Sequence, residues 1–300
     1  MSASPRVSVV IPAYHSHATV EACLAALRRQ TRPPDEIIVV NSSPEQTTAA
    51  IVQGKYPEVI FEQSPVRLLP HAARNRGVEL ATGDVLVFTD PDCVAEPDWL
   101  AAILAGLTTG RGCLVGAMAV QRDTWWQVGV HLCKFHPLLP KLTPGARLHA
   151  CTANACYTRA LWDRIGPFPA TVFCGDGVLS WRAAQAGEAP HFVPGAVVKH
   201  EHDFGVMNLC KQRFRRGREY GRVRMELNPT VRLRVWLSLI LSPAALPWVM
   251  ARAARDAHRA GWTARFLSTA PIQLLGHLLW ALGEASAALT LPRKQTLQTK

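Results

Sequence analysis

The chain predicts an α/β fold, a sheet flanked by helices, followed by a hydrophobic helical region at the C-terminus. Three observations carry that expectation. Apolar runs of strand length alternate with segments of helical periodicity over residues 7–90, polar or acidic side chains stand where those runs end, and two late stretches, 235–251 and 266–283, contain no Asp, Glu, Lys or Arg.

The elements follow in order. Val7 to Ile11, ahead of Pro12, is a buried strand, and Thr19 to Gln30 places Val20, Cys23, Leu24 and Leu27 at helical spacing with Thr19 as N-cap. Glu36 to Val40 is a second strand ending at Asn41-Ser42-Ser43-Pro44. Strand, helix and strand in this order form a right-handed βαβ unit with parallel strands. A second unit follows: a short strand at Val59 to Glu62, a helix at Ala72 to Ala81 stopped by Gly83, and a strand at Val85 to Thr89.

Composition bounds the alternatives. The chain has 300 residues, 48% of them hydrophobic, enough for a full core in one large or two ordinary domains. Its net charge of +11 calls for an anionic partner, a demand that nucleic acid, nucleotide phosphates and an acidic membrane surface all satisfy. The 8 cysteines show no Cys-x-x-Cys pair and no zinc-type spacing, so they read as reduced thiols of a cytosolic chain. Met1 to Pro5 leads into no long apolar stretch, and a cleaved secretory signal is not expected.

In open α/β sheets the ligand lies beyond the carboxyl ends of the strands. Three features fall at such ends here: Pro12-Ala13-Tyr14, Asn41-Ser42-Ser43, and Asp90-Pro91-Asp92. The last is the most informative. Oxygen ligands suit a hard divalent cation such as Mg²⁺ or Mn²⁺, and two carboxylates at a strand exit can hold one against a phosphorylated ligand. Asp-Pro-Asp is equally a way to leave a strand in a turn, so its surroundings have to decide.

Those surroundings form an ordered set. Val9 to Tyr14, the strand Glu36 to Val40 with its polar end, Ala73-Arg74-Asn75-Arg76-Gly77, Ala81-Thr82-Gly83-Asp84 and the Asp90/Asp92 pair resemble, in that order, the inverting family 2 glycosyltransferases of GT-A fold. The resemblance is specific over residues 6–105 and looser to about 225. It implies a GT-A-type mixed sheet, with residues 1–225 as catalytic domain (1–105 the nucleotide-sugar half, 106–225 the acceptor half) and 226–300 as a hydrophobic, membrane-associated helical region.

Carried over residue by residue, the resemblance puts Pro12, Ala13 and Tyr14 at the nucleoside, Asp90 at ribose or metal, and Asp92 on the metal, Mn²⁺ or Mg²⁺. Tyr14 is otherwise a rim aromatic on the sheet edge. Asn41 stands where the family has Asp; its amide oxygen can still accept a hydrogen bond from the base, which leaves the nucleotide open. Arg74 and Asn75 would fix the sugar or the loop beneath it, from the opening of a helix.

An inverting transfer needs a carboxylate base for the acceptor hydroxyl. Thr152-Ala153-Asn154 and Gly166-Pro167-Phe168 resemble the acceptor-side region, and Phe173 to Arg182 resembles the Glu-Asp segment, with Gly175 where the Glu stands and Asp176 as the candidate base. Asp176 also suits a helix N-cap. His200 or His202, the two left unresolved, would add a third metal ligand. Between Cys210 and Arg224 lies the most basic stretch. Gln212 to Arg216 partly matches the Gln-x-x-Arg-Trp motif of processive synthases, with Arg216 replacing the tryptophan, which argues for a non-processive enzyme; Arg213 or Arg215 would clamp the departing diphosphate.

In the tail, Pro243, Pro247 and Pro271 interrupt the two uncharged stretches, each near the minimum for crossing a bilayer. Two crossings would export a linker carrying Arg252, Arg255, Arg259 and Arg265 against one Asp256, contrary to the positive-inside tendency. Helices lying in the interface, or dipping in and returning, are therefore expected on the cytoplasmic face of the cell membrane, with packing onto protein as the alternative. The whole reads as a metal-dependent glycosyltransferase moving a sugar from a nucleoside diphosphate to an acceptor hydroxyl, lipid-linked or on a cell-envelope glycan. The rivals are a nucleic-acid-binding protein or an inactive membrane scaffold using residues 211–224. Aromatics interleave poorly there, and nucleic acid is not an expected partner. The chain also lacks the Gly-rich, Lys-bearing loop of nucleotidyltransferases and the Gly-x-Gly-x-x-Gly of dinucleotide oxidoreductases.

Overall fold

The computed structural model describes residues 4–201, 205–227 and 232–289. Its contacts divide the chain into two compact units, residues 1–121 with 140–201, and residues 122–139 with 202–300.

The first unit is built on a mixed sheet of nine strands. Strands β1 (Val7–Ala13), β2 (Glu36–Asn41), β3 (Ile60–Gln63) and β4 (Val85–Thr89) are parallel, in the spatial order β3-β2-β1-β4. Every residue of β1, β2 and β4 is buried, as expected for parallel strands covered on both faces. The sheet continues through β5 (Cys93–Ala95), β6 (Cys113–Val120), β7 (Gly145–Ala146), β8 (Asn154–Thr158) and β9 (His191–His200), with β8 antiparallel to β4 and β5 antiparallel to β9. Helices α1 (Val20–Arg28), α2 (Thr47–Lys55), α3 (Pro70–Leu80) and α4 (Trp99–Leu107) follow the early strands; α5 (Trp125–Phe135) belongs to the second unit, and α6 (Arg159–Ile165) and α7 (Gly175–Gln185) return to the first.

Local details depart from the sequence expectation. Thr19 does precede α1, but its side chain makes no capping bond to the helix. Helix α3 begins at Pro70, whose missing N–H costs nothing in a first turn, so Arg74, Asn75 and Gly77 sit inside the helix and do not open it. Gly77 is where α3 presses on the sheet, since a Cβ there would lie 2.4 Å from Val10 Cγ1. Below β4 and β8, Phe88, Tyr157, Trp162 and Phe168 pack edge to face or tilted, with centroids 5.2 to 6.4 Å apart. Each such buried ring contributes about 1.5–3 kcal/mol. Asn154 is equally structural: its amide donates to Ala117 O and Ala196 O and accepts from Trp99 Nε1 at 2.8 Å, which knits the irregular step between β6 and β9.

The second unit is helical, with α5, α8 (Val206–Leu227), α9 (Arg232–Ile240), α10 (Leu246–Arg259) and α11 (Thr263–Leu289). Small residues let its helices approach closely. A Cβ on Gly217 would fall 2.2 Å from Trp280 O, one on Gly283 2.3 Å from Phe214 O, and one on Gly276 2.4 Å from Cys133 Sγ. These contacts group α8 and α5 with the C-terminal helices, whereas the family resemblance set the expected boundary at residue 225. Among the described residues α11 is the one helix long and apolar enough to cross a membrane, and 39% of its apolar window is buried within the protein. Leu233–Ile240 and Ser242–Arg259 pass the same test only jointly and are bent by 64°, where Pro243 and Pro247 interrupt the backbone.

Candidate active site

Strand register assembles one rim. Ala13 is opposite Asn41 and Asn41 is opposite Gln63, so the loops after β1, β2 and β3 leave the sheet together. Pro12 and Ala13 are buried, while Tyr14 is 36% exposed with the Arg67 guanidinium 4.5 Å above its ring. His15 takes φ 51°, a left-handed conformation unfavourable to a side chain, and is held there by Ser43 Oγ on its backbone N–H and by Glu45 at 2.8 Å from its ring. Asn41 is fully buried. Its amide donates to Gln63 Oε1 at 2.8 Å and its oxygen faces the Ser43 N–H at 3.4 Å, which places it beneath the loop and not on the surface a base would meet.

The acidic pair separates into two settings. Asp90 is gripped by the buried Arg74, whose Nη2 donates to Asp90 Oδ1. Asp92 instead approaches His200, with Oδ2 3.8 Å from Nε2, because β5 pairs with β9 and puts Cys93 opposite His200. Ligand atoms of Asp92, Cys93 and His200 all lie within 4.8 Å of one another. Two donors about 2.1 Å from one octahedral ion are about 3 Å apart when adjacent, so the 3.8 Å between Asp92 Oδ2 and His200 Nε2 would have to close by roughly 1 Å or slightly less for the two to be adjacent ligands of one cation; their oxygen and nitrogen donors suit Mn²⁺ or Mg²⁺. Burial, reinforced by the Asp92 and Asp90 charges, pushes the Cys93 thiol well up.

Asp176 lies in the first turn of α7, where the helix dipole favours its charge; Cys174, and not Asp176, occupies the N-cap position. Asp176 Oδ1 accepts from the Gly177 N–H at 2.8 Å. Between this turn and the acidic pair stands His71, 2% exposed. Its Nε2 is 3.1 Å from Phe173 O and its Nδ1 is 3.5 Å from Arg74 Nη1. A carbonyl requires a donor and a guanidinium requires an acceptor, so the ring is the neutral Nε2–H tautomer. Burial first, and the Arg74 charge second, push this imidazole down to about 4, while Asp176 and Asp90 both act on it in the opposite direction. Gly175 leaves room for the ring, since a Cβ would come 2.7 Å from His71 Cδ2. Asn75 ties α3 to the neighbouring loop, donating to Phe168 O at 2.8 Å and accepting from Phe168 N at 3.0 Å; of the sugar and the loop, it is the loop that it holds.

The first unit thus brings Arg74, Asp90 and Asp176 around His71, and Asp92 to His200. Arg213 and Arg215 are on α8, in the second unit. Arg213 stacks 4.5 Å over Trp280 and donates from Nε to Gly276 O, whereas Arg215 is exposed. His202 lies outside the described residues. Sequence reasoning missed His71, Cys93, Gln63 and Arg67. The registers that select them join distant segments and leave no local signal, although His71 stands only three residues before Arg74.

Known proteins supply the rest. The family described as glycosyl transferase family 2 matches residues 8–166. Over 277 residues, 87% of this chain and 88% of the relative, the sequence is 28% identical to the glycosyltransferase AglE of Haloferax volcanii, and it is 27% identical over 227 residues, 68% of this chain and 69% of the relative, to the succinoglycan biosynthesis protein ExoM of Rhizobium meliloti. The mannosyltransferase PcManGT from Pyrobaculum calidifontis, solved with GDP-Man and Mn²⁺, shares the fold at a TM-score of 0.65 and 22% identity, covering 96% of this chain and 88% of its own. The mixed sheet is therefore of GT-A type, and the family match runs from β1 through the acidic pair to the end of α6. With more than half its length inside that match, this chain belongs to glycosyl transferase family 2 and is a glycosyltransferase.

Proposed function

We propose that the enzyme transfers one sugar from a nucleoside-diphosphate sugar to an acceptor hydroxyl with inversion at the anomeric carbon. The observation that carries this reading is that His71 joins Phe173 O, at the head of the Asp176 turn, to Arg74, which grips Asp90, within the unit that also holds the Asp92–His200 pair. Pro12, Ala13 and Tyr14 would contact the nucleoside, with Asn41 holding their support through Gln63. Asp92 and His200, with Asp90 steadied by Arg74, would hold Mn²⁺ or Mg²⁺. A divalent ion there supplies positive charge to the departing diphosphate. The PcManGT complex with GDP-Man and Mn²⁺ supports both the donor class and the metal.

Asp176 would take the acceptor O–H proton while the oxygen attacks the anomeric carbon and the bond from that carbon to the diphosphate breaks. Its place in the first turn of α7 sets the carboxylate at a helix N-terminus, where its Oδ1 is held by the Gly177 N–H. Arg213 and Arg215, the two arginines expected at the diphosphate, belong to the second unit, where Arg213 is stacked against Trp280 and Arg215 is exposed. The replacement at Arg216 supports single-sugar transfer.

The acceptor we infer is a lipid-linked or cell-envelope glycan handled at the cytoplasmic face of the membrane; the name of the succinoglycan biosynthesis protein ExoM supports a glycan product, and the second unit's surface supports a membrane. Leu233, Leu237, Leu241 and Trp248 are 45 to 70% exposed along α9 and its bend into α10, and Arg252 stacks 4.8 Å over Trp248. A nucleic-acid surface on α8 is disfavoured, since Arg213 and Arg224 are engaged by Trp280 and Glu284 of the same unit. The deciding experiment incubates the purified full chain with UDP-, GDP- and dTDP-sugars, with Mn²⁺, Mg²⁺ or EDTA. Metal-dependent release of one nucleoside diphosphate is expected; no turnover of any donor would remove the reading.

A further inference from the structure

Inside the second unit a cavity of about 370 Å³ opens among α8, α10 and α11. Arg213 and Arg224 reach it from α8, His277, Trp280 and Glu284 from α11, and Trp248 from α10. The Arg213 guanidinium lies 4.5 Å over the Trp280 ring and is tethered by Nε to Gly276 O, and its Nη atoms make no hydrogen bond among the described residues. Arg224 is aligned by Glu284 at 3.4 Å and by Ser238 Oγ at 3.1 Å. His277 is 8% exposed, and its Nε2 is buried with no partner among the described residues.

A buried polar atom left without a partner is costly, and an apolar residue would serve the packing better. Two guanidiniums face one carboxylate, a net positive charge, and the neutral imidazole adds one further polar atom, a set that matches phosphate oxygens. At the mouth, Trp248 is 61% exposed beside the apolar surface of α9, so the ligand that fits is amphiphilic. The volume accommodates a head group and the first carbons of a chain. We propose that this cavity binds the phosphate head group of a phosphorylated lipid, with Arg213, Arg224 and His277 on the phosphate and the hydrocarbon leaving past Trp248. The proposal extends the glycosyl-transfer reading, because it gives a lipid-borne substrate a site, but binding here does not depend on the donor.

The test titrates the full chain in detergent, by calorimetry, with dihexanoyl phosphatidic acid, dihexanoyl phosphatidylcholine and inorganic phosphate. Wild type is expected to bind phosphatidic acid at least about tenfold more tightly than either of the others, and Arg224→Gln and His277→Gln each to weaken it about tenfold or more. Arg224→Gln also breaks the Glu284 pair, so His277→Gln, at a ring whose Nε2 has no partner among the described residues, decides if the former misfolds. Unchanged affinity in His277→Gln, or phosphatidylcholine bound as tightly as phosphatidic acid, overturns the site; inorganic phosphate bound as tightly overturns the lipid as its source. Donor turnover without phosphatidic acid binding overturns the site and leaves the transferase reading, whereas the reverse result supports the site and removes that reading.

Discussion

Arg74, with only 3% of its side chain exposed, donates from Nη2 to Asp90 Oδ1 and faces His71 Nδ1 with its other Nη. One guanidinium thereby orients an acid of the pair at the sheet rim and a histidine that bonds the segment leading to Asp176. The first prediction follows. Arg74→Lys keeps the charge but loses the fork, and is expected to lower donor turnover about 10–100-fold and to raise the Mn²⁺ concentration needed for half-maximal rate. A metal titration of variant and wild type reads both.

Asp176→Asn retains the oxygen that accepts from Gly177 N–H, so the turn should survive while the proposed base is removed. Transfer to acceptor is expected to fall about 10²–10⁴-fold with the thermal midpoint unchanged. Wild-type rates in this variant would return Asp176 to a purely structural part.

His71 predicts a pH dependence of stability. Its folded-state value of about 4 lies below the ordinary 6.5, so the unfolded chain binds the extra proton between those values. The neutral ring's contribution is complete above pH 6.5 and is lost as pH falls toward 4, about 3 kcal/mol in all. In urea unfolding, His71→Gln should flatten the slope of stability against pH in that window by one proton; an unchanged slope would contradict the tautomer assignment.

Packing gives a contrast between two glycines. At Gly217 the obstacle is the backbone oxygen of Trp280, which cannot rotate aside, so Gly217→Ala is expected to destabilise the helical unit by about 2 kcal/mol or more. Gly54, inside α2 with nothing within 4 Å of an added Cβ, should gain up to about 1 kcal/mol as Ala. Paired thermal melts test both signs.

The proposed membrane association would rest on the apolar flank of α9. Leu233→Glu with Leu237→Glu should reduce co-sedimentation with anionic vesicles several-fold without altering donor turnover, and raising the salt should weaken wild-type binding. Equal sedimentation of the double variant would place the contact elsewhere.

Much of the first unit is legible in the chain because its strands are buried on both faces and so read as unbroken apolar runs. Val7–Ala13, Glu36–Asn41 and Val85–Thr89 differ from expectation by two residues at most, and the ordered polar ends match the family. Asn41 shows where such reading stops: the residue type was compatible with base recognition, but burial and Gln63 turn its amide inward.

Local sequence thus determined the strands, the helices that follow them and the position of Asp90 and Asp92 at a strand exit, because backbone propensity and burial periodicity act over a few residues. Only the tertiary structure decided that Arg74 grips Asp90, that His200 meets Asp92, that His71 links Arg74 to the segment leading to Asp176, and that glycines lock α8 onto α11. Those relationships come from register and close packing between segments tens of residues or more apart, where hydrogen-bond geometry and excluded volume select partners that composition does not mark.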